Sequence, residues 1–245
     1  MSSNRRPGNS SAKQIAFNSS HKKSLFKLAP IAAAVMTLSA PANAATIVWD
    51  GSTNDWFTES SWSDGLNNII PGLNDIAEIN NGFVNLDISH TVLGINHTGG
   101  TIGGSGSLLT TVLNWFGYGS TQKGNGTTTV SGNATIGDGN NYSYQHLGND
   151  ESGRTLNLNG NTAFQSAALN VSKASVINNN GTFTSKGDVR DNGANVYDNT
   201  IQNYWSSDNT FNNAGTFVQD ASGKQTSINT AFNNSGTVNV KSGTL

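Results

Sequence analysis

The sequence predicts an all-β fold built as a parallel β-solenoid. Three observations carry that prediction: a recurring Asn-Asn-x-Gly-Thr unit, short runs of alternating polarity after each copy, and a composition too poor in apolar residues for a thick core. Of 245 residues, 34% are hydrophobic and 11% charged, with 28 Gly and abundant Asn, Ser and Thr. Such a chain folds when its apolar residues line up in rows, which stacked thin coils provide.

The N-terminus has the pattern of an export signal over residues 1–44. A polar, basic stretch runs to about Lys27. The apolar run Leu28–Ala40 follows, and then Ala42-Asn43-Ala44 as a small-residue cleavage site. The apolar run is too short to span a bilayer, which takes about 20 residues. The basic residues cluster here: Arg5, Arg6, Lys13, Lys22, Lys23 and Lys27, with no acid. The remainder therefore holds seven basic against 15 acidic residues, about -8. That surface repels nucleic acid, so glycans, an extracellular matrix or other cells are the expected partners. The chain has no Cys, which excludes disulfides, thiolate metal sites and a thiol nucleophile.

Residues 45–90 are expected to form a Trp-rich first coil or cap. Trp49, Trp56 and Trp62 fall within 14 residues. They suit either a sugar-stacking platform or the apolar cover that the open end of a solenoid needs. Residues 91–245 are expected to form the coils, irregular at first and regular after residue 150.

The repeat is clearest near the C-terminus. Phe211-Asn-Asn-Ala-Gly-Thr-Phe217 recurs as Phe232-Asn-Asn-Ser-Gly-Thr-Val238, with Gly215 and Gly236 21 residues apart. Ile177-Asn-Asn-Asn-Gly-Thr-Phe183 is an earlier copy, its Gly181 34 residues before Gly215. The extra 13 residues predict an inserted loop around Asn195–Ser207, where Tyr197, Tyr204 and Trp205 interrupt the pattern. A weaker pair joins Val130–Ile136 to Leu158–Phe164. In each unit the Asn-Gly segment reads as a turn in which both residues tolerate positive φ. The run after it, such as Thr237-Val-Asn-Val240, alternates apolar and polar faces. One unit cannot bury its apolar face, whereas stacked units bury a continuous column and bring equivalent Asn residues into ladders. Hairpins of a β-sandwich are the competing architecture for Asn-Gly turns.

The opening Trp49-Asp-Gly51, Trp56 and Trp62, the segment Ile76–Leu86 and repeats such as Phe232–Leu245 resemble the N-terminal part of exported bacterial β-helix proteins. Those proteins include autotransporter passengers and filamentous-haemagglutinin-like adhesins. The resemblance implies a right-handed parallel β-helix, passage through outer-membrane export machinery, and adhesion or surface coating at the cell surface or after secretion. It also implies a longer protein, since Leu245 falls inside a repeat.

Catalytic signatures are sparse. The Gly99–Gly106 run lacks the Lys-Ser/Thr of a phosphate loop, and no Gly-x-Ser-x-Gly elbow occurs. His90, His97 and His146 lack metal-site spacing and read as surface polar residues. The enzyme alternative is a polysaccharide lyase or hydrolase on the same fold. It would use Asp138, Asp150, Glu151 and Arg154, or Asp188, Arg190 and Asp191, if stacking brought two carboxylates into one cleft. Acidic turns also offer oxygen ligands to calcium, the one cofactor the sequence suits. The expected function is contact rather than catalysis, with Trp49, Trp56, Trp62, Tyr204 and Trp205 as candidate ligand-binding residues.

Overall fold

The computed structural model describes residues 44–139, 143–187, 189–191, 195–197 and 199–245, with backbone alone for 189–191 and 195–197. The expected export signal lies outside the described residues, apart from Ala44. Among the described residues no helix is long and apolar enough to cross a membrane. The fold is the predicted parallel β-solenoid, a 21-stranded, almost wholly parallel sheet wound into coils.

Each full coil has three faces, met in chain order. Face 1 begins with Thr46–Trp49 and Ile76–Ile79 and continues through Asn161–Phe164 and Thr182–Ser185. Face 2 stacks Phe83–Asn85, Thr101–Gly103, Thr121–Gln122, Tyr144–Leu147, Ala168–Val171 and Asn199–Asn203. Face 3 includes Thr127–Val130, Thr155–Leu158, Val176–Asn179, Thr210–Asn213 and Ala231–Asn234. The strands His90–His97 and Leu108–Trp115 run on from face 3 into face 1.

The repeat copies sit in register as the sequence predicts. Phe211 lies opposite Phe232, and Asn212 opposite Asn233. Alternation sends the Phe pair inward and the Asn pair outward. On face 1 one inward column holds Ile95, Leu113, Phe183 and Phe217 and a second holds Ile79, Ile136 and Phe164, all within 1% of full burial. Burying a Phe side chain is worth about 1.5–3 kcal/mol. Phe183 also stacks on Phe217 at 5.4 Å and 15°, which adds about 0.5–1.5 kcal/mol.

The polar half of the repeat forms the expected ladders. On the outer side of face 3, Asn233 donates to Asn212 (3.0 Å), Asn212 to Asn178 (2.8 Å), Asn178 to Asn157 (2.8 Å) and Asn157 to Thr129 (3.2 Å). A second ladder is internal. Asn179 donates to Asn213 and Asn213 to Asn234, both at 2.6 Å, with Asn179 and Asn213 buried. The buried Nδ2 groups of Asn179 and Asn213 thus find acceptors in the neighbouring coil, while Asn179 Oδ1 accepts no bond.

The repeat glycines correct one expectation. Gly160, Gly181, Gly215 and Gly236 are absent from the positive-φ positions. They are needed because successive coils touch there. A Cβ on any of them would run into the carbonyl oxygen of the glycine one coil earlier, from Gly132 onward. The bend itself uses ordinary backbone.

The insertion is also displaced from its expected place. Its extra residues form an antiparallel pair, Val189–Asp191 with Asn195–Tyr197, at the corner between faces 1 and 2. Asn199–Asn203, expected within the loop, is a regular rung of face 2.

Candidate functional site

The five candidate aromatics divide into two groups. Trp49, Trp56 and Trp62 are 1%, 0% and 0% exposed. Trp62 packs against Trp49 at 5.0 Å and Trp56 at 4.8 Å, and its indole N–H donates to the Trp56 carbonyl at 2.7 Å. Trp62–Ser63 pairs antiparallel along the outer edge of Thr46–Trp49, so the first parallel rung is covered there. A sugar platform on these three is corrected accordingly: no ring face reaches solvent, and the cluster closes the first coil.

Tyr204 and Trp205 are 51% and 49% exposed, at the corner after face 2. They pack edge to face at 4.5 Å. Both fold back over face 2 onto His146, at 5.3 Å each, with the Trp205 ring inclined by only 22° to the imidazole. His146 also meets Tyr144 at 5.2 Å, and Tyr144 meets Tyr118 at 4.2 Å. Tyr118 is 69% exposed. A continuous aromatic stripe therefore crosses four successive rungs of face 2. Tyr204 and Trp205 were legible in the sequence as breaks in the repeat. Tyr118 and Tyr144 carried no such signal, because only the stacking of coils makes them neighbours.

The corner that presents Trp205 is fixed from the coil below. Lys173 and Ala174 have φ of 53° and 55°, a left-handed pair that costs a non-glycine residue about 1–2 kcal/mol each. This conformation turns three successive backbone N–H groups toward the next coil. Lys173 donates to Ser206 Oγ (2.6 Å), Ala174 to Asp208 Oδ1 (3.0 Å) and Ser175 to Asn209 Oδ1 (3.0 Å). Hydrogen bonds from Ser206 and from the Ala174 N–H hold the Asp208 carboxyl below its ordinary range. Trp205 N–H donates to Ser172 Oγ at 3.3 Å.

The histidines also correct the sequence reading. His97 is fully buried and stacks on Trp115 at 5.9 Å and 11°. Burial lowers its pKa to about 4, and the same desolvation lowers that of His146, which is 7% exposed. His90 is half-buried and its Nε2 lies 2.7 Å from the Pro71 carbonyl oxygen.

The acidic and basic candidates do not share a cleft. Arg154 is 2% exposed and turned inward. Its guanidinium donates to Thr128 Oγ1 (2.9 Å) and to the carbonyls of Lys123 (3.1 Å), Gly104 and Gly106 (3.4 Å each). Burial lowers its pKa to about 10. Asp150 and Glu151 are exposed at the corner after face 2, where Glu151 pairs with Lys123 at 3.3 Å. Asp138 lies at the corner after face 1, half-buried. Asp188 lies outside the described residues, as do the side chains of Arg190 and Asp191. Among the described residues no three His, Asp or Glu gather as a metal-binding group.

No protein-family model matches the chain, no curated protein matches it, and no solved structure does.

Proposed function

We propose that this chain is an exported, adhesin-like contact protein that presents the side of a rigid solenoid to glycans, matrix or other cells. The half-exposed pair Tyr204 and Trp205 carries the reading. Large aromatic surface in water is costly, and here a dedicated corner holds it outward instead of folding it into the core. The acidic body and the N-terminal export pattern support a contact made outside the cell, and calcium is the cation its acidic turns suit best.

The alternative of a polysaccharide lyase or hydrolase draws less support. It needs a carboxylate pair with a basic partner in one groove, and the Arg154 guanidinium is committed to backbone carbonyls inside the coils. The test is binding of the purified chain to a broad glycan array, with and without calcium. Saturable binding that Tyr204→Ala and Trp205→Ala abolish supports a contact protein. Release of unsaturated or reducing ends from any arrayed polysaccharide would contradict it.

A further inference from the structure

Resting on that reading, we infer that the ligand is a linear, uncharged oligosaccharide lying along the solenoid axis across several coils, with Tyr118 at one end of its track and Tyr204 and Trp205 at the other. The exposed rings are Tyr118, Tyr204 and Trp205, with Tyr144 half-buried between them. His146 beneath them links the two ends by ring contacts on both sides. Tyr118 precedes the rung Thr121–Gln122, and Tyr204 follows the rung Asn199–Asn203 three strand steps on. At about 4.8 Å per step the stripe is about 14 Å long. That exceeds one sugar ring and matches a short chain.

The surroundings argue for a neutral polyhydroxylated chain. The neighbouring outward positions of face 2 are Thr121, Thr200 and Gln202, half-buried and uncharged, with the buried amide of Asn170 beside Gln202. Gln202 donates to Asn170 at 2.9 Å, which aligns the amides along the stripe. Flat rings take the C–H faces of pyranoses while amides and hydroxyls meet sugar hydroxyl groups. A polyanion would meet the net negative charge of the body. A peptide would need an unpaired strand edge or an apolar groove, and here the strands under the stripe are paired on both sides.

The probes are linear β-1,4-glucose and β-1,4-N-acetylglucosamine oligosaccharides of one to six units, titrated into the full chain by isothermal titration calorimetry. For at least one series, affinity should rise by about tenfold or more between two and four units and then level off, with little dependence on salt. Tyr118→Ala should lower affinity for the tetrasaccharide while leaving the disaccharide unchanged. Trp205→Ala should abolish both. Equal affinity at every length, still lost in Trp205→Ala, would overturn the axial track and leave the glycan reading standing. Silence in both series would overturn both. Tyr118 is exposed, so its variant tests the track without disturbing the core.

Discussion

The carboxylate of Asp208 accepts the backbone N–H of Ala174 from the coil below, at 3.0 Å, and Ala174 holds a left-handed φ of 55° to make that contact. The strained turn and the acid together set the corner on which Trp205 sits. Asp208→Ala should release the corner, moving Trp205 emission to longer wavelength and raising its anisotropy decay, while Asp208→Asn retains part of the wild-type signal. Because the Asp208 pKa is lowered, the contact is complete above the ordinary carboxylate range. It is lost only as pH falls through that range toward the folded value. Time-resolved fluorescence against pH checks both statements.

Gly215→Ala should destabilise the solenoid by about 1–3 kcal/mol or more. The new Cβ meets the Gly181 carbonyl oxygen, which is backbone and cannot move aside without parting two coils. Gly223→Ala, at a corner with open space but a φ of 71°, serves as a backbone-strain comparison without the clash. Urea unfolding midpoints measure the two.

Replacing Asn213 by Leu tests the internal ladder. It removes the acceptor of Asn179 and the donor to Asn234 and to the Thr237 carbonyl. An unsatisfied buried polar group costs about 1–3 kcal/mol, so the variant should unfold at lower urea although Leu is the more apolar side chain. Equal or greater stability would show that the ladder contributes nothing.

The part of the fold that was legible was the part built from repeats. Gly181, Gly215 and Gly236 announced coils because one sequence motif does one job in each, and the register Phe211 to Phe232 follows. The coils through Gly94–His97 and Val112–Trp115 pair just as regularly, but no shared motif marks them, since their inward positions are filled by Ile95, Leu113, His97 and Trp115 in turn. Trp49, Trp56 and Trp62 were visible as a cluster, and the need to cover the open end favoured a cap, yet composition alone also suits a platform. Only burial separates them. The stripe on face 2 was half legible for a similar reason: Tyr118 and Trp205 are far apart in sequence and joined through His146.

Stability should fall as pH drops from 6.5 toward 4. The folded pKa of His97 is lowered by burial to about 4, so between these values the unfolded chain binds the proton and the folded one does not. Two and a half pH units at about 1.36 kcal/mol each amount to about 3 kcal/mol, with His146 adding in the same direction. His97→Gln should flatten the slope between pH 6.5 and 5, a window above the lowered carboxylates Asp64, Glu151 and Asp208. Thermal midpoints of the two proteins across that window are the measurement.

Iodide quenching of tryptophan emission tests the proposed contact surface most directly. Of five Trp, four are within 1% of full burial and Trp205 alone is half-exposed. Only a minor part of the emission should be quenchable. That part should vanish in Trp205→Phe and become shielded when a binding oligosaccharide is added. Quenchable emission that persists in Trp205→Phe, or that a saturating oligosaccharide leaves unshielded, would contradict the account.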